Sequence, residues 1–413
     1  MSLYGAFYSS LSGLSANASS LSVIGNNLAN LNTIGFKGST STFQDLFNAQ
    51  MGAMGTQGNG NPLQIGLGTR LGAVSQNFGQ GSYQSTSNPT DMAISGSGFF
   101  TLTTKSGARA YTRAGNFTVD KSGMLVDPNG SNVMGWNRAN LASKGAVEAI
   151  YINPGTTSDP RATTSVSSST NLNADAATGT VFTSPLQVFD SLGASHSLLF
   201  TYSKAATAGQ WNLTVTTDDN AATVAGFPAT VQFNGSGILT SPAADPTITV
   251  TGWSNGAANL STNWDIWSGS PAVSSLTGYA SASSTGSTTQ DGYGAGSIQS
   301  VVVDSDGIIT GNFTNGQTIP LAQVALASFS NQNGLSKQGD NNWQETLASG
   351  AGNIGAASTG GRGAILGAQL ELSNVDVAEE FTKLIVAQRG YQANSKVVTT
   401  SDDMMQVTLN LKQ

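Results

Sequence analysis

The sequence predicts a multidomain chain in which a terminal α-helical coiled-coil pair brackets nested all-β domains. Three observations carry this: an apolar heptad rhythm at each end, short strand-like runs between turn residues through the middle, and a shift to Ser, Thr, Ala and Gly between about 148 and 295. A length of 413 residues suits two to four domains at roughly 100–200 residues each.

Residues 3–31 read as the first helix. Tyr4, Phe7, Leu11, Leu14, Ala18, Leu21, Gly25 and Leu28 alternate spacings of three and four, the a/d rhythm of a coiled-coil seam. Phe7, Leu14, Leu21 and Leu28 make one large phase, while Leu11, Ala18 and Gly25 shrink along the other and would admit a close neighbour there. No charged residue precedes Lys37, so this helix suits burial among other helices. The Asn- and Gly-dense stretch Gly25–Lys37 should end it in a defined bend, because both residue types tolerate left-handed backbone.

At the other end, 377–409 carries a matching series: Val377, Phe381, Leu384, Gln388, Tyr391, Ser395, Val398, Asp402, Met405 and Leu409. Its polar members share one heptad phase, which suits setting register. Asp376 or Asn374 can cap the start, where Glu379 and Glu380 favour the helix dipole. Two seams of equal period suggest that the chain ends pair with each other.

Between them the reading is all-β. Met92–Ile94, Phe99–Leu102 and Tyr111–Val126 read as strands and turns, followed by Leu186–Phe189, Ser197–Tyr202, Trp211–Val215, Thr230–Phe233 and Thr247–Val250. Thr156–Thr170 and Ser281–Thr289, small and polar, read as linkers. Ile298–Val303 and Ile308–Phe313 flank an Asp304–Gly307 turn.

Composition removes several functions. Charged residues make up 9%, where about 25% is usual. The absence of Cys excludes disulfides, thiolate nucleophiles and zinc fingers, and one His cannot build a multi-histidine metal centre. A net charge of −7 without a basic cluster argues against nucleic acid as a partner. A surface with few charges opposes self-association little. The N-terminus lacks a positive n-region, and Ser, Asn and Gly interrupt each apolar run before it reaches signal-peptide or membrane-spanning length. Export, if it occurs, needs another route, and membrane insertion is not expected.

Four short patterns invite chemistry. Asp304–Gly307 lacks the ligands of a calcium loop and reads as a hairpin turn. Gly292-Tyr-Gly294-Ala-Gly296 has the wrong spacing for a dinucleotide fingerprint and reads as a hinge. Asp190 with His196 hints at a triad without its nucleophile elbow and reads as a hairpin. Arg113 is either an interface residue or a surface arginine beside a turn. No catalytic, metal or cofactor site emerges.

Two longer blocks are more specific. Gly25-Asn26-Asn27-Leu28-Ala29-Asn30-Leu31-Asn32-Thr33-Ile34-Gly35-Phe36-Lys37 closely resembles the N-terminal signature of the flagellar rod and hook protein family. Ser373–Asp376, Ala387-Gln388-Arg389-Gly390-Tyr391-Gln392-Ala393-Asn394-Ser395-Lys396 and Asp402–Met405 resemble its C-terminal signature. Asp91–Phe100 and Tyr111–Phe117 are similar to the family's shared β domain, and the segments Val188–Gly193, Gln290–Tyr293 and Ser328–Asn331 to its hook branch. The inserted domain argues for hook over the shorter rod subunits.

The resemblance implies a structural polymer subunit, not an enzyme and without a cofactor. The implied domains are 1–75 with 366–413 as a helical inner-tube domain, 76–147 with 296–365 as a middle β domain, and 148–295 as an inserted outer β domain. Assembly is expected through Phe7, Leu11, Leu14, Leu21, Leu28, Phe381, Leu384, Tyr391, Val398 and Met405. The implied partners are further copies of the chain, the distal rod, hook-cap and hook–filament junction proteins, and the flagellar export apparatus. A distal rod subunit and a secreted β-rich enzyme or adhesin are the competing readings.

Overall fold

The computed structural model describes residues 3–46, 48–50, 64–153, 155–269 and 273–410. Two long helices, α1 (Leu3–Ala29) and α2 (Val377–Asn410), enclose in sequence a body built from strands. Asp376 begins α2: its Oδ1 accepts the Glu379 N–H at 2.9 Å. The chain forms two compact units, one of 1–154, 301–311 and 320–413, the other of 155–300 and 312–319.

In the first unit α1 and α2 pack antiparallel, with Asn17 against Gly390, Gly13 against Asn394, and Asn27 bonded to Glu380 at 3.2 Å. The predicted heptad period is present in this packing, but its phase differs by one position. The buried line on α1 runs through Ser10, Gly13, Ala16, Ile24 and Asn27, and on α2 through Glu380, Ala387 and Ser401. Small and polar side chains make this seam because they let the backbones approach: a Cβ on Gly13 would lie 2.6 Å from the Asn394 amide nitrogen. Gly25 faces open space, so the close approach expected there falls at Gly13 and Gly390.

The β body of this unit is centred on a sheet ordered Thr318–Ser328, Asn132–Asn137, Phe99–Thr103, Arg109–Thr112, Asn342–Gln344, Ser336–Gly339. Phe99, Tyr111, Phe329 and Trp343 fill its core, with Tyr111 edge-on to Phe329 at 4.8 Å. Two short ladders return the chain toward α2: Ala364–Gly367 on Met92–Ser95, and Gln369–Glu371 on Tyr83–Ser85. A hairpin of Ser39–Asp45 and Thr69–Gln76 lies beside α1, where the Ser12 hydroxyl accepts the Thr69 N–H at 3.0 Å.

The second unit is a sandwich. A five-stranded antiparallel sheet of Val181–Phe189, Ser195–Lys204, Gln210–Thr217, Thr230–Phe233 and Leu239–Ser241 shares a core with a six-stranded sheet that includes Thr247–Thr251, Leu260–Trp264 and Ser165–Asn171. Phe200 meets Trp264 across that core at 4.9 Å. Two stretches read as linkers are strands here: Ser165–Asn171 pairs with Ser284–Gln290. Val166, Ser168 and Thr170 alternate inward, so a period of two operates even where the side chains are small. The glycines at 292, 294 and 296 do not form a hinge. Each is packed tightly, and a Cβ on Gly292 would meet the Thr163 hydroxyl at 2.3 Å.

Candidate assembly surface

Because small and polar residues, with Ile24, occupy the seam, most large apolar side chains of both helices are left outside it. Leu11 and Phe381 are each 48% exposed, Val386 is 66% exposed, and Tyr8, Ile385 and Tyr391 are exposed too. Phe7, Leu14, Leu21 and Leu28 on α1, and Leu384, Val398 and Met405 on α2, are half-buried. The helices therefore present an apolar surface outward. Of the C-terminal signature, Gln388, Arg389 and Gln392 are exposed, whereas Asn394 packs on Gly13.

The N-terminal signature builds the bend that follows α1. The Asn30 amide donates to the Asn26 carbonyl and to its side-chain oxygen, both at 2.9 Å, and the Thr33 hydroxyl donates to Asn30 at 3.1 Å. Asn27 is buried; it accepts the Ser39 N–H at 2.9 Å and donates to the Ser39 carbonyl at 2.8 Å. Gly35 adopts a φ of 67°, and a Cβ there would sit 2.5 Å from the Ala114 nitrogen. Asn26, Asn30, Asn32, Thr33 and Phe36 line a cleft of about 620 Å³, together with Lys337 and Asn341. The Lys337 ammonium lies over the Phe36 ring at 4.4 Å.

Lys37 and Arg113 converge on a residue that sequence reasoning missed. The Lys37 ammonium meets Glu371 Oε1 at 2.5 Å and Arg113 Nη1 meets Oε2 at 3.4 Å. Arg113 is 2% exposed, so it belongs neither to an interface nor to the surface, and this corrects both readings of it. The cause is its carboxylate partner, together with the Gly96 carbonyl at 2.7 Å and the Phe99 face at 5.4 Å. Burial pushes the Lys37 ammonium and the Arg113 guanidinium down from their ordinary values, and the Glu371 carboxylate opposes that. Nothing local in the sequence marks Glu371, because all its partners come from distant segments.

In the second unit the single histidine, His196, stacks on Trp253 at 4.0 Å and lies 3.1 Å from Asp190 Oδ2. Asp190 Oδ1 accepts the Leu192 and Ala194 N–H groups, closing the hairpin turn. Nearby, Asp291 accepts the Thr164 and Ser165 N–H groups and pairs with Arg161 at 3.1 Å.

Comparison with known proteins accounts for both ends and the middle together. Four family models match: "Flagella basal body rod protein" over 7–37, "Flagellar hook protein FlgE/F/G D1 domain" over 93–171, "Flagellar basal body protein FlaE D2 domain" over 157–293, and "Flagellar basal body rod FlgEFG protein C-terminal" over 367–411. The flagellar hook protein FlgE of Treponema pallidum is 34% identical over 98% of this chain and 99% of that protein. That of Escherichia coli is 32% identical over 98% of this chain and all of its own length. The crystal structure of Helicobacter pylori flagellar hook protein FlgE2 aligns with a TM-score of 0.47 at 16% identity, over 68% of this chain and 98% of that one. With 32–34% identity to the Treponema pallidum and Escherichia coli proteins over nearly the full length of both chains, the chain belongs to the flagellar hook protein family.

Proposed function

We propose that the chain is the structural, non-catalytic subunit of a flagellar hook, polymerising into a curved flexible tube that joins rod to filament and transmits motor torque as a universal joint. The observation that carries this is the apolar surface turned outward by α1 and α2. A lone chain gains nothing from exposing Leu11, Phe381 and Val386, whereas a neighbouring copy would bury them at about 25 cal/mol per Å². In this reading 1–75 with 366–413 line the tube, 76–147 with 296–365 form a middle layer, and 148–295 face outward. Weakly charged Ser/Thr/Gly surfaces in the outer part make wet contacts that slide at low cost as the tube turns.

The same reading takes the distal rod, hook-cap and junction proteins as end partners, and export through the flagellar apparatus without a cleaved signal. The test is electron microscopy of purified basal bodies labelled with antibody against 148–295. Label along a short curved segment outside the envelope supports the proposal; label confined to the straight rod, or none, overturns it.

A further inference from the structure

Four stretches far apart in sequence are tied together at one buried carboxylate. Besides Lys37 and Arg113, Glu371 accepts the Gly81 N–H through Oε1 at 2.9 Å, and its carbonyl accepts the Gly35 N–H at 2.8 Å. Lys37 spends a second proton on the Gly79 carbonyl at 2.8 Å. Three residues further on, Asn374 accepts the Gly38 N–H at 2.9 Å and donates to the Asn77 and Gly79 carbonyls at 2.7 and 3.0 Å. The chain leaving α1, the chain entering α2, the 77–81 segment and the Arg113 turn of the β body thus share one hydrogen-bonded node.

Charges are a poor way to gain stability in such a place. Apolar residues of equal volume often serve as well, while removing one member strands a buried charge at high cost. Directional bonds do something apolar contacts do not: they admit one relative orientation of the groups that share them. We infer that Glu371 is the positioning residue of a rigid elbow that fixes the angle between the terminal helix pair and the β body of the first unit. In a bending polymer the two would then travel as one piece. That last consequence rests on the hook-subunit reading; the elbow is a property of the single chain.

The absence of cysteine makes the test clean. Nitroxide labels at Lys396→Cys on α2 and Ser106→Cys on the β body, both exposed positions, report the inter-label distance by pulsed electron resonance. The monomer should give one narrow peak. Glu371→Gln should lose that peak to a broad distribution while near-ultraviolet dichroism keeps the signature of the Phe99–Tyr111–Trp343 core. Asn374→Ala strands no charge; it should broaden the peak less, and it decides the matter if Glu371→Gln fails to fold. A broad distribution in the native chain, or native peaks in folded variants, overturns the elbow. Tube formation by the unlabelled native chain is scored separately. A narrow peak without tubes removes the hook-subunit reading and keeps the elbow; tubes with a broad native peak do the reverse.

Discussion

Gly35 shows how a single position can hold the bend after α1. Its φ of 67° is unfavourable for an L side chain, and the Ala114 backbone leaves no space for a Cβ. Gly35→Ala should cost the first unit about 2 kcal/mol or more, read as a lower urea midpoint. Asn27→Ala should cost about 1–3 kcal/mol, because the buried Ser39 loses partners for both backbone groups. Two aspartates should make the second unit sensitive to acid. Burial pushes the Asp291 carboxyl up, but the Thr164 hydroxyl, the Thr164 and Ser165 N–H groups and Arg161 outweigh it and hold the carboxyl below its usual range. At Asp190 burial is likewise outweighed, here by Asn255, His196 and two backbone N–H groups. A depressed folded value means that the stabilisation is complete above the unfolded value of about 4 and is lost as pH falls through the folded one. Melting temperatures of the second unit should therefore drop steeply below about pH 4, and Asp291→Asn should flatten that limb.

For the helices, the heptad period was legible in the sequence and the phase was not. Counting large apolar residues selects Phe7, Leu14, Leu21 and Leu28 as a seam, yet within one chain the seam is built mostly from small and polar residues, with Ile24 its large apolar member. The size contrast is itself informative: small residues set close intrachain contact, and large ones remain for neighbours. Leu21→Asp should accordingly leave the monomer's helix content intact and abolish polymerisation, while Gly13→Leu should force α1 from α2 and lower helix dichroism in the monomer. Normal tubes from Leu21→Asp would overturn the assembly account. Strands rich in Val, Trp and Phe, such as Trp211–Val215, stood out by alternation. Ser165–Asn171 and Ser284–Gln290 did not, because Ser, Thr and Gly disguise the period. The Glu371 node had no sequence signal, since its geometry exists only after the body has folded.

Across the molecule, the second unit is joined to the rest in a way that makes it removable. Arg161 and Tyr293 bridge one another through reciprocal backbone bonds of 2.9 and 3.0 Å, so the two ends of most of the insertion already meet. Replacing 162–292 with a short Gly/Ser link should leave the aromatic core of the first unit intact and give tubes of altered curvature or stiffness; unfolding of that core would contradict this. The pairing of α1 with α2 has a consequence in time. Asn27 and Glu380, bonded across the seam, are 353 residues apart. A polypeptide is made from its N-terminus, so α1 waits without its partner until nearly the whole chain has followed. A product cut short before Glu380 leaves Asn27 without that partner, and its first helix remains open. In chain-entropy terms, this one contact closes a loop of 353 residues.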